Sequence, residues 1–297
     1  MTAAQLLKPC PASGEGVHTW VFYAACSLIE AGLSDADAEA EIEAAMTREP
    51  SPPSEIMDAL RSARGERRRS TPRWSPVNPA AIAEIVENGP TLVELISRSP
   101  EPIQFVEQSR TEMFVDLLFP GDPWLCIGSA SNQFYTAKRE AWRGHLHERS
   151  LIVPSPMSTQ KGRTKQGKPS YHSESNTGPR RFLVVEFDRG TLDQQAALLW
   201  HLEQFARSLA VVVFSGSKSA HGWFFCEEQP EDKLRRFFDY AISLGSDPRT
   251  WSRCQFVRMP DGQRADGKTS DALKSAGIDS APSGRQAALY INSEVIQ

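Results

Sequence analysis

Residues 182–188 read FLVVEFD, and residues 211–227 read VVVFSGSKSAHGWFFCE. The first is a short apolar run ending in two acids. The second is two apolar, β-rich runs around a Gly/Ser turn, the pattern of a hairpin. Between them, residues 192–210 (LDQQAALLWHLEQFARSLA) have helical amphipathicity, as do residues 231–245 (EDKLRRFFDYAISLG). WLCIGSA at 124–130 and CQFVRM at 254–259 add further strand candidates. Strand–helix–strand order with a hairpin predicts an α+β domain over 120–297.

Outward from that core the texture changes. Residues 1–65 predict a small all-helical domain. HTWVFYAACSLIEAGL (18–33) has apolar residues three and four apart and ends near Gly32. Ser34, with Asp37 three residues on, has the pattern of a cap for a second helix. SPPSEIMDALRSARG (51–65) carries its prolines at a helix start, where their missing N–H groups cost little. Residues 66–119 form a linker and helical connector, with short helices predicted in PAAIAEIVENG, TLVELISRS and TEMFVDLLF. Residues 154–178 are polar and rich in Gly, Ser and Lys, and read as a long functional or disordered loop.

The 297-residue chain is 40% hydrophobic and 24% charged, as in soluble globular proteins, and long enough to bury a core without disulfides or structural metal. Its net charge of −4 excludes a uniformly basic coat but hides an asymmetry. Residues 1–63 sum to −7 and residues 138–189 to +6. A concentrated basic stretch suits phosphate binding, because neutralised phosphates release counterions; it equally suits a solvated loop. No run approaches the roughly 18 apolar residues of a membrane span. The N-terminal residues lack a signal-peptide pattern. The five cysteines are scattered without a CxxC pair, so no disulfide framework and no zinc site is expected. The prediction is a reduced, cytoplasmic protein with no membrane partner.

Three segments carry candidate chemistry. On a strand, Glu186 and Asp188 point to one face, and two carboxylates that close are costly unless a cation sits between them. Such hard oxygen donors suit Mg²⁺ or Mn²⁺; two exposed acids where a strand leaves the core would look the same. In the turn after residue 214, small residues, hydroxyls and the side chains of Ser217, Lys218, Ser219 and His221 could converge on an anion. A plain hairpin with a polar tip is the alternative. Asp247 precedes Pro248, where an Asx turn is common, and Asp261 reads as a turn residue. Arg258 and Arg264 fit phosphate or template contacts, or simple surface charge.

Taken in order, the acidic pair, the Ser-x-His hairpin and the later lone Asp resemble the archaeo-eukaryotic primase superfamily, the primase–polymerase group of phages, plasmids and mobile elements. The flanks RRFLVVEFD, SGSKSAHGWF and CQFVRMP share that resemblance, which covers 120–297. The chain departs from the common pattern in three ways. The pair is Glu-x-Asp, Ser246 rather than an apolar residue precedes Asp247, and zinc cysteines are absent. The first 65 residues resemble the small helical domain that accompanies such primases.

The resemblance implies an RNA-recognition-like palm core and template-dependent nucleotidyl transfer. Glu186, Asp188 and Asp247 would hold two Mg²⁺ or Mn²⁺ ions. Ser217, Lys218, Ser219, His221 and Arg258 would bind an NTP or dNTP. Lys161, Arg163, Lys165, Lys168, Arg180 and Arg181 would follow a single-stranded DNA template and primer, with Tyr171 as a candidate stacking residue and Trp142 as a second, for which burial in the core is the favoured alternative. Unwinding is assigned to a partner helicase. Two other readings differ in class. His145-Leu146-His147 with Tyr240 matches the residue types of a rolling-circle nuclease, and a single-strand DNA-binding factor without catalysis would need only the basic stretch.

Overall fold

The structure is a computed structural model, and it describes residues 7–13, 16–64, 74–264, 272–279, 281 and 284–296. Two compact units are present, Met1–Arg73 and Trp74–Gln297.

The first unit contains α1 (Val17–Glu30), α2 (Asp35–Ala45) and α3 (Glu55–Ala63). Gly32, at φ +86°, ends the α1 turn in the left-handed conformation a glycine adopts without penalty. Ser34 caps α2, its hydroxyl accepting the Asp37 N–H. Trp20, Val21 and Leu28 of α1 meet Ile42 of α2 and Ile56 and Leu60 of α3 in one core. The buried Glu55 carboxylate accepts bonds from both Arg48 guanidinium nitrogens at 2.8 Å, from the Ser51 N–H at 2.8 Å, and pairs with His18 at 2.9 Å.

The second unit opens with α4 (Pro79–Asn88), α5 (Leu92–Ser97) and α6 (Thr111–Leu118). It continues with β1 (Trp124–Ala130), β2 (Gln133–Lys138), α7 (Arg139–Trp142), β3 (Leu151–Ile152), β4 (Gly162–Arg163), β5 (Pro169–Ser170) and β6 (Phe182–Phe187). Then come α8 (Leu192–Ala206), β7 (Leu209–Phe214), β8 (Ala220–Phe225), α9 (Glu231–Ser243), β9 (Val257–Arg258), α10 (Ala272–Ser275) and β10 (Ala288–Ile291). Of the residues predicted as a separate linker and connector, 74–119 belong to this unit, and 66–73 lie outside the described residues. Leu92 and Leu95 of α5 join the core under α8, and the Leu92 N–H donates to Asp193 at 2.8 Å.

Two four-stranded antiparallel sheets have the orders β2-β1-β3-β9 and β10-β7-β8-β6. In the second sheet α8 links the parallel strands β6 and β7, and β8 lies between them, paired antiparallel to both. Both of its faces are buried, which explains the near-continuous apolar runs. Leu183, Val185 and Phe187 point to a core shared with α8, α9 and α5. Phe182, Val184 and Trp223 point the other way, onto Leu125, Ile127, Ile152 and Val257 of the first sheet and Phe114 of α6. Glu186 and His221 continue that second set along β6 and β8, so they stand at the rim of the space between the sheets.

The predicted loop at 154–178 is ordered around the small β4–β5 hairpin and the buried Asn176 side chain, which donates to the carbonyls of Thr159 and Tyr171, each at 3.2 Å. Among the described residues, no helix is long and apolar enough to cross a membrane.

Candidate functional site: a carboxylate cluster at the end of β6

Glu186 and His221 are directly opposed in the β6–β8 register. Their side chains meet, with His221 Nε2 3.3 Å from Glu186 Oε1 and 3.3 Å from Ser219 Oγ. The chain returns to this point after α9. The Asp247 N–H donates to the Glu186 carbonyl at 2.9 Å, while Asp247 Oδ1 accepts the Arg249 N–H at 2.9 Å. Asp247 is thus both the Asx-type cap its sequence allows and a member of the cluster. β9 brings Arg258 within electrostatic range of Glu186 and His221.

Charge shapes these groups. Burial pushes the Glu186 carboxyl up to about 7; the Asp188 and Asp247 carboxylates push it the same way, and Arg258 partly offsets them. The buried His221 imidazole is lowered to about 3, first by burial and then by Arg258. It is therefore neutral at working pH and offers a neutral hydrogen bond, which leaves Lys218 as the charged side chain among the four predicted in this segment. His221 Nδ1 is buried without a hydrogen-bond partner among the described residues.

The Ser/Lys turn is organised by Ser215. Its hydroxyl accepts the Ser219 N–H at 3.1 Å and the Ser217 N–H at 3.4 Å. These two amides point inward, towards the Ser215 hydroxyl. Lys218 is exposed, with its ammonium 3.9 Å from Asp188. Arg264 donates to the Ser215 carbonyl at 2.9 Å, which places it against the turn from outside.

Gln195, on α8, went unrecognised in the sequence. Its side chain is wholly buried. Oε1 accepts the Ala220 N–H at 2.7 Å; Nε2 donates to the Lys218 carbonyl at 2.9 Å and lies within reach of the carbonyls of Arg189 and Gly190. It ties the Lys218 turn to the loop that follows Asp188. The available signal was its place in the apolar stripe Leu192–Gln195–Leu199–Leu202, where a polar residue needs partners.

Other predicted residues separate. Lys161, Arg163, Lys165 and Lys168 are exposed on and beside the β4–β5 hairpin. Arg180 and Arg181 are buried and leave the strand-binding set. Arg180 lies over the Trp251 ring at 4.3 Å and pairs with Glu231 at 3.3 Å; Arg181 donates to the Leu118 carbonyl at 2.7 Å and pairs with Glu227. Trp142 is a core residue, its Nε1 donating to the Leu125 carbonyl at 3.2 Å. His145 and His147 are exposed in a loop after α7, with no strand to align them, and the Tyr240 hydroxyl is hydrogen-bonded to His201 at 2.7 Å.

Among the described residues, no three His, Cys, Asp or Glu side chains form a ready-made metal cage. Mg²⁺ seldom needs one, because it keeps several waters and takes one or two carboxylates plus substrate phosphates. Glu186 and Asp188 are hard oxygen donors close enough to hydrogen-bond, and Asp247 adds negative charge beside them. A carboxyl pushed up to about 7 by burial first and by its acidic neighbours second fits a divalent cation in chemistry and charge. Comparison with protein families, curated proteins and solved structures returned no match to this chain.

Proposed function

We propose that this protein is a DNA-template-dependent primase–polymerase that transfers nucleotides from NTPs or dNTPs, with the Glu186–Asp188 end of β6 as its catalytic centre. The observation that carries this reading is the return of Asp247, far along the chain, to the Glu186–Asp188 strand end beside the Ser217–His221 segment. The finer fold assignment, an RNA-recognition-like palm, is supported by β6–α8–β7 with β8 between the two parallel strands, the split βαβ arrangement. β10 lies beside β7.

The reaction joins a primer 3′-hydroxyl, or an initiating nucleotide, to the α-phosphate of an incoming triphosphate, releasing pyrophosphate. Mg²⁺ or Mn²⁺ held by Glu186, Asp188 and Asp247 would stabilise negative charge on the attacking and leaving oxygens. The chain's own groups do the rest. Lys218 offers a mobile ammonium to the triphosphate, 3.9 Å from the carboxylate it would leave. Ser217 and Ser219 offer hydroxyls, and neutral His221 bridges Ser219 and Glu186 and holds the carboxylate against the hairpin. Arg258 lowers the cost of negative charge at Glu186. Gln195 fixes the turn relative to the Asp188 loop, so that donors and carboxylates keep one geometry.

Extension of an annealed, labelled primer tests the reading. Wild-type protein should lengthen the primer with Mg²⁺ or Mn²⁺. Lys218→Ala should raise the triphosphate KM, and Asp188→Ala should stop extension. Undiminished extension by Asp188→Ala would refute the assignment.

A further inference from the structure

Tyr135 on the edge strand β2 is 41% exposed, although it sits in a β-strand with an apolar register line behind it. Its ring meets that of Tyr171 at a centroid distance of 4.3 Å and an interplanar angle of 46°. Lys161 Nζ lies over the Tyr171 ring at 4.7 Å, and Gln160 Nε2 donates to the Tyr135 hydroxyl at 2.9 Å. The pair is held from beneath: the Tyr171 carbonyl accepts from Thr136 Oγ1 at 2.6 Å and from the buried Asn176 amide at 3.2 Å. These are aromatic faces fixed at the surface by polar bonds, not a loose hydrophobic patch.

Their surroundings favour one ligand. Residues 149–173 contain no Asp or Glu, and Arg149, Lys161, Arg163, Lys165 and Lys168 fall within them. The last four are exposed on or next to the β4–β5 hairpin that leads into Tyr171. Aromatic planes next to an acid-free row of cations match a single-stranded nucleic acid, whose bases stack and whose phosphates need positive charge. Tyr135 shares a register line with Ile127, Ile152 and Val257, three strand spacings or about 14 Å from the neighbour of Arg258.

We propose that Tyr135 and Tyr171, with Lys161 and the β4–β5 hairpin, form a base-stacking platform for a single nucleic-acid strand. The identity of that strand as a template rests on the polymerase reading; the binding itself does not. The test is fluorescence anisotropy of a labelled oligo(dT), without nucleotide or metal, on the full chain. Tyr135→Ala should weaken binding roughly tenfold, leave the slope against log salt unchanged, and leave the melting temperature near wild type. Tyr135→Phe should bind like wild type. An abasic oligonucleotide should bind wild type as weakly as oligo(dT) binds Tyr135→Ala. Lys161→Ala/Arg163→Ala should instead flatten the salt slope. Equal binding of oligo(dT) by wild type and Tyr135→Ala, equal binding of intact and abasic strands, or no binding by wild type would overturn the platform. Primer extension decides the other question separately. A protein that stacks bases but never extends would remove the polymerase reading alone. One that extends while Tyr135→Ala binds normally would remove the platform alone.

Discussion

Replacing Gln195 with Met should loosen the candidate site without touching a candidate catalytic group. Methionine nearly conserves volume, so little cavity or overpacking is introduced. What disappears is a set of hydrogen bonds around a fully buried side chain: the buried Ala220 N–H loses its 2.7 Å acceptor and the part-buried Lys218 carbonyl its 2.9 Å donor. A buried backbone group left unsatisfied costs about 1–3 kcal/mol and a lost part-buried bond about 1 kcal/mol, so the pair predicts a loss of about 3 kcal/mol. For a unit of this size, at about 3 °C per kcal/mol, that is a fall of about 9 °C in melting temperature. Urea unfolding followed by tryptophan emission reads it directly, because Trp223 is fully buried on β8. On the proposed polymerase reading, the folded variant should show a raised triphosphate KM, since the Lys218 turn is no longer tied to the Asp188 loop. A Gln195→Met protein within about 0.5 kcal/mol of wild type would refute the claim that this side chain organises the site.

Three further outcomes follow from the same geometry. Glu186 has a folded-state value of about 7 against an ordinary 4.5; the folded state therefore keeps a proton that the unfolded chain has lost, and stability falls as pH rises from 4.5 to 7. Without divalent cations, Glu186→Gln should remove that fall and be more stable than wild type at pH 8 by up to about 3 kcal/mol, measured by urea titration at several pH values. Glu55 runs the other way: the Arg48 hydrogen bonds lead in lowering it to about 2, so its contribution is complete above pH 4.5 and lost as pH falls towards 2. Glu55→Gln should flatten this acid-side slope, worth about 3 kcal/mol at most; an unchanged slope would count against the buried pair. Gly222→Ala should destabilise by about 1–3 kcal/mol, because a Cβ there would stand 2.6 Å from Leu199 Cδ2; circular-dichroism melting checks it.

The strands that frame the site were readable because both of their faces are buried. FLVV and VVVF are apolar without interruption, and each appears as a strand, β6 and β7. β2, with the sequence QFYTAK, was not readable, because an edge strand with one solvated face mixes polar and apolar residues without a clean period. β3, β4 and β5 are two residues each, too short to carry any period. The connector helices were visible as helices, yet their membership in the second unit depended on where α8 lies, which spacing along the chain does not encode. The site shows the same division. Glu186, His221 and Asp247 could be chosen by residue type and order, and folding adds their contact. Arg180 and Arg181 looked like surface cations; their partners Glu231 and Glu227 lie beyond β8 in the sequence. Gln195 looked like one more polar residue on a helix, and only the approach of the Lys218 turn gives it a task.

The central claim is metal-dependent nucleotidyl transfer at the β6 carboxylates. Its most direct test is synthesis on unprimed single-stranded DNA with Mg²⁺ or Mn²⁺ and labelled NTPs and dNTPs, comparing wild type with Glu186→Ala/Asp188→Ala. An annealed primer is supplied in a parallel reaction. New or lengthened strands from wild type and none from the variant are predicted. Equal product from both proteins, or no chain growth by wild type on either template, would contradict the account.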